Sequence, residues 1–470
     1  MNRVELQLAI EEAARQQARD PQRAEQTLRD LLAEHPNETI VLVRLARLLH
    51  QVGRAAEAIP FMKRAVEIAP KAPLFNDLGS LLLAAGDRAA AIDAYQNSLK
   101  LDPNYALGCL NLADVLAESG RILEAIECYR RVISLEPSSV DGRVGLAAAF
   151  LRLGDPPAAL AECRAALAID SGHVGALHAM AIALAKTADL PGAITCARTL
   201  IVQKPQFAKG WHTLGNLLDD AGDVEQATSA YLRALEIDPG LIEAGYDLAA
   251  LTGSIAPPAM PRPYVTRLFD DFAPTFERRL VAELDYRVPE ALREAVAQHL
   301  PSSAATALDV LDLGCGTGLV GKQFHDLAGR ITGVDLSTVM LAEARAAGIY
   351  TELVCDDVID YMTATDSRFD LVLAADLFIY IGGLDELFAA SRRVLRPGGL
   401  LAFSIERIEG SNYSLRRTRR YAHSLAYVGD LAGRHSMTIL EMRPTAIRRG
   451  DGGRVDGHII VLRRDSAQSS

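Results

Sequence analysis

The chain has 470 residues, 49% hydrophobic and 23% charged, the balance of a globular protein with room for two or three domains. A formal charge of −11 does not suit general affinity for phosphate backbones, and no apolar run of about 18 residues or more reads as a membrane span. The charged, helix-forming opening Met1 to Gln17 lacks the apolar core of a signal peptide, and the 6 cysteines show no C-x-x-C spacing, which together imply reduced thiols, a cytoplasmic setting and no metal site.

Through the first half, prolines recur at Pro36, Pro70, Pro103, Pro137, Pro205 and Pro239, with Ser171 in the vacant place, so the interval is 34 residues apart from one of 33. A fixed period of that length marks an array of repeats. Within it Gly53, Gly86, Gly120, Gly154 and Gly222 punctuate a turn, with Ala188 replacing glycine once. Five residues later an alanine follows each time, at Ala58, Ala91, Ala125, Ala159, Ala193 and Ala227, small enough for two helices to approach closely. Tyr95, Tyr129 and Tyr231 then fill space between hairpins. The unit Ala208 to Pro239, with Trp211, Leu214, Gly215, Ala227, Tyr231, Ala234 and Pro239, resembles a tetratricopeptide repeat at nearly every signature position. Six such units follow a degenerate one carrying Ala24 and Pro36, and a helix from Leu241 to Leu251 caps them. The resemblance implies an α superhelix whose groove takes a peptide or partner protein. His178, His212 and Tyr246 fall 34 residues apart on first helices, at a position that faces the concave side in that family. Asn76, Asn111 and Asn216 share no position and give no asparagine ladder.

Ala256 to Pro263 holds four prolines and reads as an extended, stiff spacer. The expected division is a repeat domain over 1–252, a linker over 253–263, a second domain over 264–464 and a tail over 465–470. Tyr264 to Leu284 reads as an amphipathic helix or two, with Leu268, Phe269, Phe272, Phe276 and Leu280 on the apolar side; 264–300 is expected to form a lid or cap.

Leu308 to Gly318, LDVLDLGCGTG, carries an apolar strand into Asp312 and then into Gly314, Gly316 and Gly318, at the turn into a helix near Leu319. Gly316, Gly318 and Gly321 alone also satisfy the dinucleotide fingerprint. Asp312 disfavours that ligand, since it would repel a pyrophosphate but could face the ammonium of an amino-acid ligand. Further strands end in acids. Ile331 to Val334 runs into Asp335, placed for both hydroxyls of a ribose, and Thr351 to Cys355 runs into Asp356 and Asp357, placed for an adenine edge. Phe369 to Ala374 leads to Asp376, and Leu400 to Ile405 follows the turn Arg396-Pro397-Gly398-Gly399.

DLGCGTG, GVDLS, FDLVLAADLF and LRPGGLL, in this order, resemble the class I S-adenosylmethionine-dependent methyltransferases over roughly Tyr264 to Arg464. The resemblance implies an α/β Rossmann-like domain with a mostly parallel seven-stranded sheet, S-adenosylmethionine as cofactor, and Asp312, Gly314, Gly316, Gly318, Asp335, Leu336, Asp356, Asp357 and Asp376 as its binding residues. No Asn-Pro-Pro-Tyr or Asp-Pro-Pro-Tyr follows the fourth strand, which lowers the case for a nucleobase or amide acceptor. Tyr380, Glu406 and Arg420 are candidate substrate residues. The element Arg420-Tyr421-Ala422-His423-Ser424, similar to one in repeat-linked bacterial methyltransferases, supplies His423 as general base and Tyr421 to orient it, with Asp376 as a third catalytic candidate. Arginines facing the pocket would favour an acidic acceptor, whereas Arg448, Arg449 and Arg454, on the hairpin between the last two strands (Met437 to Met442 and His458 to Arg463), read as exposed.

The leading expectation is therefore a methyltransferase whose array recruits a protein, carrier-bound or small acidic acceptor. The competing one is a repeat scaffold with a cofactor-sensing or inactive second domain, and a nicotinamide oxidoreductase is the remote third.

Overall fold

A computed structural model describes residues 3–17, 19–254, 257–273, 276–277, 280, 284–300, 307–410, 412–450 and 453–466. Ala256, Pro274, Thr275 and the tail beyond Ser466 lie outside these residues, as does the side chain of Phe272. The chain forms two compact units, Met1–Pro205 and Gln206–Ser470.

Short helices of 13 or 14 residues cannot each bury a core, so in the first unit they pair. α1 (Arg3–Gln16) and α2 (Pro21–Glu34) make the degenerate hairpin. Hairpins follow of α3 (Thr39–Gln51) with α4 (Ala55–Ile68), α5 (Ala72–Ala84) with α6 (Arg88–Leu101), and α7 (Ala106–Glu118) with α8 (Ile122–Leu135). α9 (Val140–Leu153) with α10 (Pro156–Ile169) and α11 (Val174–Lys186) with α12 (Leu190–Gln203) complete the unit. Ala58, Ala91, Ala125, Ala159 and Ala193 are fully buried where helices touch. A Cβ on Gly79 would come 2.6 Å from the ring of Tyr95, so this tyrosine fills the space of a missing side chain in its own hairpin, while Tyr129 of α8 lies on Gly145 of the following α9. Asn111 donates to Asn76 Oδ1 at 2.8 Å despite being out of step with the period.

The second unit opens with α13 (Ala208–Asp220), α14 (Val224–Ile237) and α15 (Ile242–Thr252), the last repeat and its cap. The boundary expected at 253–263 thus falls inside this unit. Nor are the prolines a free spacer: the carbonyl of Pro258 accepts from the N–H groups of Gly382 and Gly383, Ala259 pairs with Ile381, and Pro263 starts α16 (Arg262–Phe272).

α17 (Val288–Ala297) precedes the sheet, followed by β1 (Leu308–Leu313), α18 (Leu319–Phe324), β2 (Ala328–Asp335), α19 (Thr338–Ala346), β3 (Glu352–Cys355), α20 (Val358–Ala364) and β4 (Phe369–Ala374). α21 (Asp385–Val394), β5 (Leu395–Glu406), β6 (Tyr413–Leu415), β7 (Tyr421–His423), α22 (Leu425–Arg434), β8 (Met437–Gly450) and β9 (Gly453–Arg464) complete it. The seven-stranded sheet runs β3-β2-β1-β4-β5-β9-β8, parallel through β5 and antiparallel beyond, while β6 and β7 pair separately. Side chains alternate between two cores: Leu311, Leu313, Val372 and Phe403 pack with Leu387 of α21 and Val428 of α22, while Val310, Leu371 and Leu373 pack with Leu292 and Val296 of α17.

β8 and β9 extend far past the expected Met442 and His458. A register shift between Ala446 and Arg448 breaks the strict in-out alternation, so that the successive residues Ile447 and Arg448 are both buried. That shift overturns the exposed reading of Arg448, which is 3% exposed, whereas Arg449 and Arg454 are exposed.

In the repeats Ala188 keeps the turn glycine's left-handed backbone, at φ 63°. A Cβ in that region costs about 1 kcal/mol. Replacing Ala188→Gly should therefore raise stability by about that amount, read as a higher urea midpoint at 222 nm.

Candidate active site

At the carboxyl edge of the sheet, a cavity of about 430 Å³ opens beyond the paired strands β1 and β4, where the strand order reverses. One end is lined by Gly314, Cys315, Gly316 and Thr317 of the loop after β1, by Asp335 and Leu336 after β2, and by Asp357 to Ile359 after β3. Gly314 and Gly316 hold left-handed angles, φ 65° and 52°, that bend the chain under the cavity. Asp335 Oδ2 accepts the Gly316 N–H and Oδ1 the Ser337 N–H, both at 2.9 Å, so the carboxylate organises the glycine loop. Burial raises its pKa, and these amide donors oppose the rise.

The other glycines serve a different ligand, the ring of Tyr350. A Cβ on Gly318 would lie 3.0 Å from that ring, and one on Gly321 would lie 2.6 Å from its hydroxyl. Tyr350 fills this slot and donates to Asp312 Oδ2 at 2.6 Å. Asp312 is 1% exposed and does not line the cavity, so its carboxylate does not face an amino-acid ligand there as expected from sequence. Burial, outweighing the Tyr350 hydrogen bond, pushes its pKa up to about 7. Gly318 and Asp356 also stay off the cavity wall; Asp356 Oδ1 accepts the Asp357 N–H.

The far end is lined by the segment after β4, by Arg420 just before β7 and by Arg448 of β8. Asp376 adopts φ 51°, a left-handed angle uncommon for a residue with a side chain, and its N–H donates to Ser404 Oγ. Its Oδ2 accepts from Arg448 Nη1 at 2.8 Å, and the other Arg448 nitrogen, Nη2, binds Glu406 Oε1. Burial raises the pKa of Asp376, opposed by Arg448 and Arg420. Arg420 lines the cavity beside Tyr380, and among the described residues no carboxylate stands within ion-pair distance of it. Glu406, expected at the substrate, lies behind Arg448 rather than on the wall. Phe269 meets Phe276 and Tyr380 edge-on, with ring centres 6.0 and 5.4 Å apart, over the cavity.

His423 is not the base expected from sequence. It is fully buried on β7, off the cavity wall, with Nε2 3.0 and 3.1 Å from the carbonyl oxygens of Ile381 and Gly382, so that nitrogen carries the proton. Burial pushes its pKa down to about 4, leaving a neutral imidazole that ties β7 to the loop after β4. Tyr421 is also fully buried and donates to the Pro257 carbonyl, orienting neither His423 nor an acceptor. Ser424, not His423, caps the following helix. The R-Y-A-H-S element read as catalytic because its residue types titrate; their burial was not visible in a single sequence. Sequence reasoning missed Arg448 and Tyr286, both on the cavity wall, and Arg448, between Ile447 and Arg449, carried no signal of burial in its neighbours.

Among the described residues no cluster of His, Cys, Asp or Glu could hold a metal ion, and no helix is long and apolar enough to cross a membrane.

Asp312 binds a proton in the fold that an unfolded chain releases above about pH 4. The stability this gives is full below that pH and is lost as pH rises to about 7. Relative to Asp312→Asn, the wild type should lose up to about 4 kcal/mol between pH 4 and pH 8, read from urea midpoints of both proteins at each pH. Arg448→Gln removes the cation that Asp376 and Glu406 share, leaving only Arg416 at 3.9 Å from Glu406 and the more distant Arg420, and should cost about 3 kcal/mol in the same measurement at pH 7.

A family model described as methyltransferase domain matches residues 310–399. Models described as tetratricopeptide repeat match 16–80, 76–125, 110–174 and 208–241. Malonyl-[acyl-carrier protein] O-methyltransferase of Pseudescherichia vulneris is 30% identical over 123 residues, 26% of this chain and 46% of that protein. The protein of the same name from Enterobacter lignolyticus is 33% identical over 147 residues, covering 31% and 55%. Trans-aconitate 2-methyltransferase of Paracidovorax citrulli is 31% identical over 168 residues, covering 34% and 61%. The chain spans about half the length of these relatives. With a glycine loop after β1, an acid after β2 and an antiparallel hairpin closing the sheet, it is a tetratricopeptide-repeat protein that carries a class I methyltransferase domain.

Proposed function

We propose that this protein transfers a methyl group from S-adenosylmethionine to a carboxylate oxygen of its acceptor, and that the repeat array recruits that acceptor. The observation that carries the proposal is one cavity with the glycine loop and Asp335 at one end and, at the other, the cation Arg420, which bonds Tyr380 and is in no ion pair among the described residues.

The residues present suit the cofactor. Thr317 Oγ1 and Asp376 Oδ1 are buried atoms without a hydrogen-bond partner, on residues that line the cavity, and so are left for a ligand. Asp335 and Leu336 would hold the ribose, the Gly314 to Thr317 backbone the amino-acid part, and Asp357 to Ile359 the base. When bound, the cofactor supplies a methyl group already activated on a sulfonium. The protein's work is then alignment and exclusion of water, for which Phe269, Phe276 and Tyr380 form an aromatic roof.

The acceptor class follows from charge. Arg448 is ion-paired to both Asp376 and Glu406, whereas Arg420, which bonds Tyr380 and acts on Asp376 from beyond ion-pair distance, is in no ion pair among the described residues and supplies the anchor for an anion. With His423 neutral and buried, no imidazole stands ready as base, and a carboxylate oxygen needs none. The named substrates of the relatives, a malonyl carrier and trans-aconitate, both bear carboxylates, which favours the same class. A second reading rests on the free Asp376 Oδ1: a hydroxyl acceptor deprotonated there. Asp376→Asn separates the two, since a hydroxyl reaction would lose roughly 100-fold or more in rate with its base.

Calorimetric titration with S-adenosylmethionine, its demethylated product and NADH tests the cofactor site. Both sulfur compounds should bind and NADH should not, and Asp335→Ala should weaken binding roughly 10- to 100-fold as its hydrogen bonds to the Gly316 and Ser337 N–H groups are lost. In methyl-label transfer to cell extract, a chain beginning at Gln206 should keep cofactor binding and lose labelling of the recruited acceptor. Failure of the wild type to bind would favour a repeat scaffold with an inactive second domain.

A further inference from the structure

Arg419 and Arg420 are consecutive, yet they serve different partners. The turn between β6 and β7 closes through the Arg416 N–H to the Arg420 carbonyl at 2.9 Å and carries Arg419 at a left-handed φ of 58°. From there Arg420 reaches the cavity wall. Arg419 goes instead to the last repeat and its cap: Nε donates to Asp247 Oδ1 at 2.6 Å and Nη2 to Asn216 Oδ1 at 3.2 Å. Arg417 adds a bond to Asp219 Oδ1 at 2.8 Å, and the Tyr246 hydroxyl donates to the Arg419 carbonyl at 2.9 Å. Asp247 is 3% exposed and its second oxygen lies 2.7 Å from His212 Nε2, so it is a buried acid committed to holding this turn. His212 and Tyr246, two of the residues in the 34-residue row, are thereby engaged within the chain itself.

We infer that Asp247 and Arg419 are positioning residues: the clamp between the last repeat and the β6–β7 turn sets Arg420 at the acceptor end of the cavity. The inference rests on the carboxylate-acceptor reading above. A turn held at a strained backbone angle by charges from α13 and α15 has little freedom to withdraw Arg420, and release of the clamp frees both. The last repeat is on this account part of the methyltransferase site, whatever the other repeats recruit.

Hydrogen exchange of the full chain, read by peptide, tests the clamp without an acceptor. In Asp247→Asn and Arg419→Gln, residues 412–424 should exchange roughly 10-fold faster or more, 308–335 should not change, and Arg419→Lys, which keeps the charge, should fall between. Citrate serves as an anionic probe, titrated with the demethylated cofactor product saturating. Its affinity should fall roughly 10-fold in the same two variants and in Arg420→Gln, while affinity for the product stays within about twofold. Unchanged exchange over 412–424, or unchanged probe affinity in Asp247→Asn, overturns the inference. A wild type that binds the product but not citrate removes the carboxylate reading instead, and the exchange result then decides the clamp alone. If the product itself does not bind, the cofactor reading fails separately.

Discussion

Two carboxylates, Asp376 after β4 and Glu406 at the end of β5, sit at neighbouring strand ends, and both are held by the one guanidinium of Arg448. Two acids so close would ordinarily force one to stay protonated, because Glu406 is buried and Asp376 is largely shielded from water. Supplying the cation from β8, the outermost strand, requires the β8–β9 hairpin to run on past the sheet edge and to turn a charged side chain inward. The register shift at Ala446 to Arg448 does this, and Ile447 beside it still enters the apolar core. The end wall of the cavity, the strained backbone at Asp376 and the length of the hairpin are consequences of the same charge balance.

The glycines show a comparable division of labour. Gly314 and Gly316 bend the loop beneath the cavity and place an N–H on Asp335, whereas Gly318, Gly321 and Gly333 give up their side chains to the ring of Tyr350. Spacing alone mixes these two uses, which is why the motif also matched a dinucleotide fingerprint. The slot for Tyr350 explains why Asp312 tolerates deep burial: it has a phenol as donor and, up to about pH 7, a proton of its own.

Much of the architecture was legible because periodicity and strand ends are local properties. The 34-residue period located every hairpin, including the degenerate first, and Ala188 takes the glycine conformation that the period demanded of it. The acid at the end of β2 and the glycine loop met on one cavity wall because strands adjacent in a parallel sheet end together. Legibility stopped where a residue's role depends on what another element brings to it. His423 and Tyr421 have the right chemistry in the wrong place, buried by the loops at Ile381 and Pro257. Arg448 read as exposed because a bulge leaves no signature in residue types. The proline segment looked like a spacer because its hydrogen bonds to Gly382 and Gly383 join residues more than a hundred positions apart in the chain.

The acceptor end is assembled from Asp376, Arg420 and Arg448, which stand on three separate elements and owe their positions to three separate devices: a left-handed backbone, a turn clamped on the last repeat, and a bulged hairpin. Such a site has no single motif, so relatives with the same glycine loop can differ here freely. Arg448 pairs with both acids, Asp376 and Glu406; Glu406 also stands 3.9 Å from Arg416, and Arg420 acts on Asp376 without forming an ion pair. An anion entering the cavity therefore reaches Arg420 without breaking an ion pair, but shares it with the Tyr380 hydroxyl. That difference between the two arginines, more than the count of charges, is what the proposal of a carboxylate acceptor rests on.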